Sequence, residues 1–197
     1  MLGLPKATEL NKPLPKTALY TKFQMSAAAK AKFDADVSRI SIVGEISPRT
    51  VGIAAGEKIG SIFVLLVSLK HKSFLENTIA QISKLIDQNM LLILEHGEQR
   101  KLAIYHTKLI QTEWMPADDC GITLKGLDLD GVWENFVRSL EGGEWSEALS
   151  LEENIALHER QAKLEKEIAR LEKLARAEKQ PKKKFELVQE INRLRNT

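Results

Sequence analysis

Residues 61–96 read "SIFVLLVSLKHKSFLENTIAQISKLIDQNMLLILEH", and their hydrophobic period changes twice. Positions 61–70 form a β-rich, continuously apolar run, the mark of a central strand covered on both faces. Then Leu75, Ile79, Ile82 and Ile86 recur at spacings of four, three and four, which is one face of a helix. Ser73 and Glu76 have the spacing of a capping box at the start of that helix. Residues 90–96 return to a buried strand. Two β-rich runs with a helical face between them predict a mixed α/β or α+β domain.

The flanking sequence extends this pattern. Upstream, "RISIVGEI" (39–46) alternates Ile40, Ile42 and Ile46 with polar positions, as a half-buried strand does. Before it, "SAAAKAKFDAD" (26–36) has helical composition with Ser26 as N-cap. Pro48 and three glycines make 47–60 a loop, with room for a short strand at "VGIA". Downstream, "KLAIYHTK" (101–108) is expected to pair with 90–96 as a hairpin turning at "GEQR". In "DLDGVWENFVRSL" (128–140) the inward face of a helix is Val132, Phe136, Val137 and Leu140, and Asp128 or Asp130 caps it. The expected domain spans 26–141, with flanking helices around a small mixed sheet of four to five strands. Residues 1–25, with Pro5, Pro13, Pro15 and four lysines, read as an extended arm.

Gly142 and Gly143 break the chain, and Ser150 with Glu153 forms a second capping-box pair. A helical arm over 150–197 follows. Leu157, Leu164 and Leu171 repeat every seven residues, with Ile168 and Ala175 at the alternate seam positions and polar Asn154 and Gln161 early in the seam. Pro181 ends this helix and suits the first turn of the next, whose stripe is Leu187, Ile191 and Leu194. Two stripes joined by a short polar turn predict a helical hairpin.

Charge is concentrated at the turn. From Ser150 onward there are 12 Lys/Arg against 9 Glu, and before it 17 against 18 acids. Lys173, Arg176, Lys179, Lys182, Lys183 and Lys184 gather around a single acid, Glu178. Such a cluster releases counterions from a phosphate backbone, and the competing reading is a solvated turn. With Phe185 read as packed, aromatic interleaving is absent, so base stacking is not suggested.

Other chemistry is largely excluded. The single cysteine, Cys120, can form neither an internal disulfide nor a zinc set, and the N-terminus lacks the apolar core of a signal peptide. The longest apolar run, Ile62 to Val67, is far short of the roughly 20 residues a membrane span needs. A soluble cytoplasmic protein is expected. "GEKIGS" lacks the G-K-S/T of a phosphate loop, and "DLDGVW" lacks the later ligands of a calcium loop. His71, His96, His106 and His158 have no ligand spacing. One catalytic alternative remains. Glu45, Lys70 and Glu95 lie near strand ends, and two carboxylates with a lysine would suit a Mg²⁺-dependent nuclease. Ser68 stands two positions before Lys70, where such enzymes need an acid. A degenerate nuclease-like core and ordinary strand-end charges are the competing readings. No cofactor is expected outside that alternative.

Four segments carry a family resemblance: "LGLPKATELNKPLPK" (2–16), "QISKLIDQNMLLILEH" (81–96), "KLAIYHTKL" (101–109) and "EIARLEKLARAEKQPKKKFELVQEINRLR" (167–195). Together they make the chain similar to the bacterial domain-of-unknown-function family 4391. The resemblance implies no assigned activity and no catalytic residues. It implies an association with helicases and DNA methyltransferases encoded nearby, in clusters resembling restriction or anti-phage defence. The expected function is a non-enzymatic interaction subunit that docks on a helicase- or methyltransferase-like partner. Leu157, Leu164, Ile168 and Leu171 would supply the apolar contact, and the basic turn would meet DNA or RNA.

Overall fold

A computed structural model describes residues 2–146 and 148–196. It divides into two compact units, Met1–Gly142 and Gly143–Thr197. The first is a mixed α/β unit built on a sheet of seven strands, more than the four to five expected.

Along the chain, β1 (Glu9–Pro13) leads into α1 (Lys16–Lys22) and α2 (Ala27–Asp36). Then come β2 (Val37–Ile46), the single turn α3 (Pro48–Val51), β3 (Ile62–Leu69), α4 (Glu76–Ser83) and β4 (Asn89–His96). The unit closes with β5 (Gln99–Tyr105), β6 (Leu109–Gln111), β7 (Met115–Pro116) and α5 (Leu129–Glu141). Sheet order follows the chain from β1 to β6, and β7 pairs with β5. All neighbours are antiparallel except β3 and β4, which run parallel with α4 as the crossover between them. Residues 9–13 thus form an edge strand on β2, and Pro13 is tolerated there because an edge position can spare a donor.

The central pair is apolar for the reason its sequence suggests. Leu65, Val67, Leu92 and Leu94 meet Leu19 of α1, Phe33 of α2, and Ile79 and Ile82 of α4. Their sequence neighbours Val64, Leu66, Leu91 and Ile93 point to the opposite face and are also buried. The α5 helix packs against β5 and β6, and none of its side chains belongs to the first cluster, that around Leu65. Each apolar side chain of the central pair contributes about 1.5–3 kcal/mol on burial.

Local punctuation differs from expectation in two places. The β4–β5 hairpin turns at Gly97–Glu98, with His96 opposite Gln99, so β5 starts two residues earlier than "KLAIYHTK". Gly97 adopts φ +59°, which permits the tight turn. The α4 helix is not capped by Ser73. Its N-cap is Leu75, which has no side-chain cap, and the first turn is held from outside by Asp36. The Asp36 carboxylate accepts from the Leu75 amide at 3.0 Å and from the Thr78 hydroxyl at 3.1 Å. Ser26 and Asp128, by contrast, cap their helices as expected.

In the second unit, α6 (Leu151–Ala177) and α7 (Pro181–Arg195) form an antiparallel hairpin. Ser150 and Glu153 make a complete capping box. Asn154 is fully buried. Its amide donates to the carbonyls of Ser146, Leu149 and Ser150 at 3.0–3.1 Å, and its Oδ1 accepts from the Ser146 amide at 2.9 Å. The polar residue in the seam therefore ties the entering chain to the helix. Among the described residues, no helix is long and apolar enough to cross a membrane.

Candidate nucleic-acid and partner interface

The sheet register decides how the strand-end residues relate. Glu45 pairs with Phe63 near the start of β3, whereas Lys70 directly follows the end of that strand. Seven residues at about 3.3 Å each put them roughly 23 Å apart along the sheet. Glu95 lies opposite Ser68, so it shares an end of the sheet with Lys70 but not with Glu45. The antiparallel turn between β2 and β3 makes this so.

Carboxylates at the Lys70 end are committed to structure. Glu95 accepts from Arg100 Nε at 2.9 Å and from its Nη2 at 2.7 Å, a cross-strand pair. Asp34 accepts from Lys16 Nζ at 2.7 Å and from the Tyr20 hydroxyl at 2.6 Å, and Lys16 also donates to the Val37 carbonyl at 2.6 Å. These bonds hold the Asp34 carboxyl below its usual range, first through Lys16 and then through Tyr20. The Tyr20 phenol is pushed up to about 12, first by burial and then by the Asp34 carboxylate. Asp36 caps α4. Among the described residues, no three His, Cys, Asp or Glu gather as a metal site.

A lysine that sequence reasoning passed over lies beside this region. Lys101 is 8% exposed in the middle of β5. Its ammonium sits 5.8 Å from the Phe74 ring centre and 5.3 Å from that of Trp114. Burial pushes its pKa down, and Glu113 partly opposes the shift. Both rings come from loops, so no local pattern announces the contact.

The hairpin carries the most accessible chemistry. Its own core consists of Leu171, Ala175 and Ile191, with Ile168, Leu187 and Leu194 against it. Of the predicted partner stripe, Leu171 and Ile168 are therefore used within the hairpin, Leu164 is half-buried, and Leu157 is exposed. Phe185 is 62% exposed rather than packed, because it lies two residues before Leu187, on the opposite side of α7. Leu174 and Val188 are exposed as well.

The predicted basic residues come together at the hairpin's turn. Lys173 and Arg176 lie in the last turns of α6, Lys179 lies in the link, and Lys182, Lys183 and Lys184 occupy the first turn of α7. All six are exposed. Arg176 approaches Glu172 at 3.8 Å. The lysines at 173, 179, 182, 183 and 184 form no ion pair within 4 Å among the described residues, and Lys183 acts on Glu178 only at longer range. Glu178 itself is turned to the link, accepting from the Gln180 amide at 2.8 Å. The turn therefore presents uncompensated positive charge to solvent, beside exposed apolar side chains.

No curated protein and no solved structure matches the chain. A family model described as a domain of unknown function, DUF4391, matches residues 2–197, and the chain belongs to that family.

Proposed function

We propose that this protein is a non-enzymatic accessory subunit of a bacterial DNA-processing assembly of the restriction or anti-phage defence kind, working in the cytoplasm. In this reading the α/β unit docks on a helicase- or methyltransferase-like partner, and the hairpin's turn contacts the phosphate backbone of nucleic acid. One observation carries the proposal: five exposed lysines of the turn have no ion-pairing partner. Several lysines gathered on one helical turn can meet neighbouring phosphates together, and the contact gains from counterion release. Among its described residues the turn carries a single exposed ring, Phe185, which could stack on one base but forms no aromatic row, and this favours backbone contact over base readout.

Fluorescence anisotropy with a labelled DNA duplex at low salt tests this. The triple variant K182E/K183E/K184E is expected to bind at least about tenfold more weakly. Equal affinity for wild type and variant would reduce the turn to a solubilising surface.

A further inference from the structure

We propose that the helical hairpin docks on a second copy of itself through the groove between α6 and α7, burying Leu174, Ala177 and Leu187. This groove has a volume of about 790 Å³ and an apolar floor. Leu174 stands 45% exposed on it. The proposal shares Lys179 and Lys183 with the nucleic-acid reading, and Leu174→Asp separates the two because it alters the apolar floor and removes no lysine.

Charge along the groove identifies the occupant. Lys179 and Lys183 line its end nearest the turn together with Glu178, whose carboxylate is turned to the link, so that end is net basic, and Glu186 and Glu190 line it further along α7. A surface basic at one end and acidic at the other is complementary to itself when turned end for end. A two-fold axis across the helices supplies that operation and gives the same contact twice. Residues 183, 186, 187 and 190 follow the i, i+3, i+4, i+7 spacing of one helical face. With the axis over Glu186 and Leu187, Lys183 of each copy faces Glu190 of the other. Glu190 also holds Arg193 at 2.6 Å, and a carboxylate has lone pairs for both cations. The two hairpins then form four antiparallel helices, a packing that covers leucines left open by a lone pair.

Sedimentation velocity of the full chain at micromolar concentration, without nucleic acid, tests the proposal. The expected species is a dimer of twice 22.2 kDa. Leu174→Asp places a charge in the seam and is expected to raise the dimer dissociation constant at least about tenfold. Because Leu174 is exposed in the single chain, helicity by circular dichroism should stay unchanged. Lys183→Glu and Glu190→Lys should each weaken the dimer by about tenfold, whereas K183E/E190K should restore it by exchanging the signs across the axis. A monomer overturns the proposal, as does a dimer indifferent to Leu174→Asp. So does a double variant whose losses simply add.

Discussion

At Gly56 an added Cβ would meet the Asp130 carboxylate, so that side chain would have to swing away from its present position. That carboxylate accepts from the amide of Ile59 at 2.8 Å and from the amide of Lys58 at 3.1 Å, so it fastens the loop before β3 to the start of α5. Asp130→Ala should cost about 1 kcal/mol, chiefly through the part-buried Ile59 amide, because the Lys58 amide is open to water. Gly56→Ala should cost no more than Asp130→Ala, because the added Cβ displaces the carboxylate from these amides, and much less in the Asp130→Ala background. Urea unfolding of the two single variants and the double measures that coupling. Tyr20 gives a second residue-level test. The protein has two tyrosines, so Tyr105→Phe leaves Tyr20 as the remaining phenol. Its absorbance change should centre at about 12 and move toward 10 in Asp34→Asn. Because the folded value is raised, the stability it contributes is complete below the unfolded value near 10 and declines as pH climbs through the folded one. Lys101 has the opposite sense. Its lowered value means the unfolded chain holds the proton more tightly, so stability rises as pH approaches 10.5.

Among the elements, α4 separates what was legible in the sequence from what was not. Its apolar face and position between two buried strands follow from periodicity alone. Its cap does not, because Asp36 lies 39 residues before Leu75 in sequence and reaches it only through the fold. Asp36→Ala should therefore lower stability by about 1 kcal/mol, while Ser73→Ala should leave the denaturation midpoint unchanged. The caps at Ser26, Asp128 and Ser150 were legible since each lies within three residues of the amide it serves. Strands β6 and β7, three and two residues long, are too short to show a period of two. The sequence of β1, "ELNKP", lacks alternation because an edge strand buries little.

For the whole molecule, local spacing revealed the hairpin and its charge, while tertiary geometry settled what the strand ends could do. Glu45, Lys70 and Glu95 look equivalent in sequence, each near a strand terminus, yet strand direction puts Glu45 at the other end of the sheet. The basic turn needed no such information, because six cations within twelve residues of a helix–turn–helix must share one end. What register cannot supply is the partner of that charge, and salt dependence reports on it directly. The decisive measurement is the duplex-DNA binding constant of the wild type and of K182E/K183E/K184E across a range of salt concentrations. If the five unpaired lysines each neutralise a phosphate, log K should fall against log salt with a slope of about −4.5, and the triple variant should flatten it to about −1.8. A wild-type slope near zero, or the same slope and affinity in both proteins, contradicts the account.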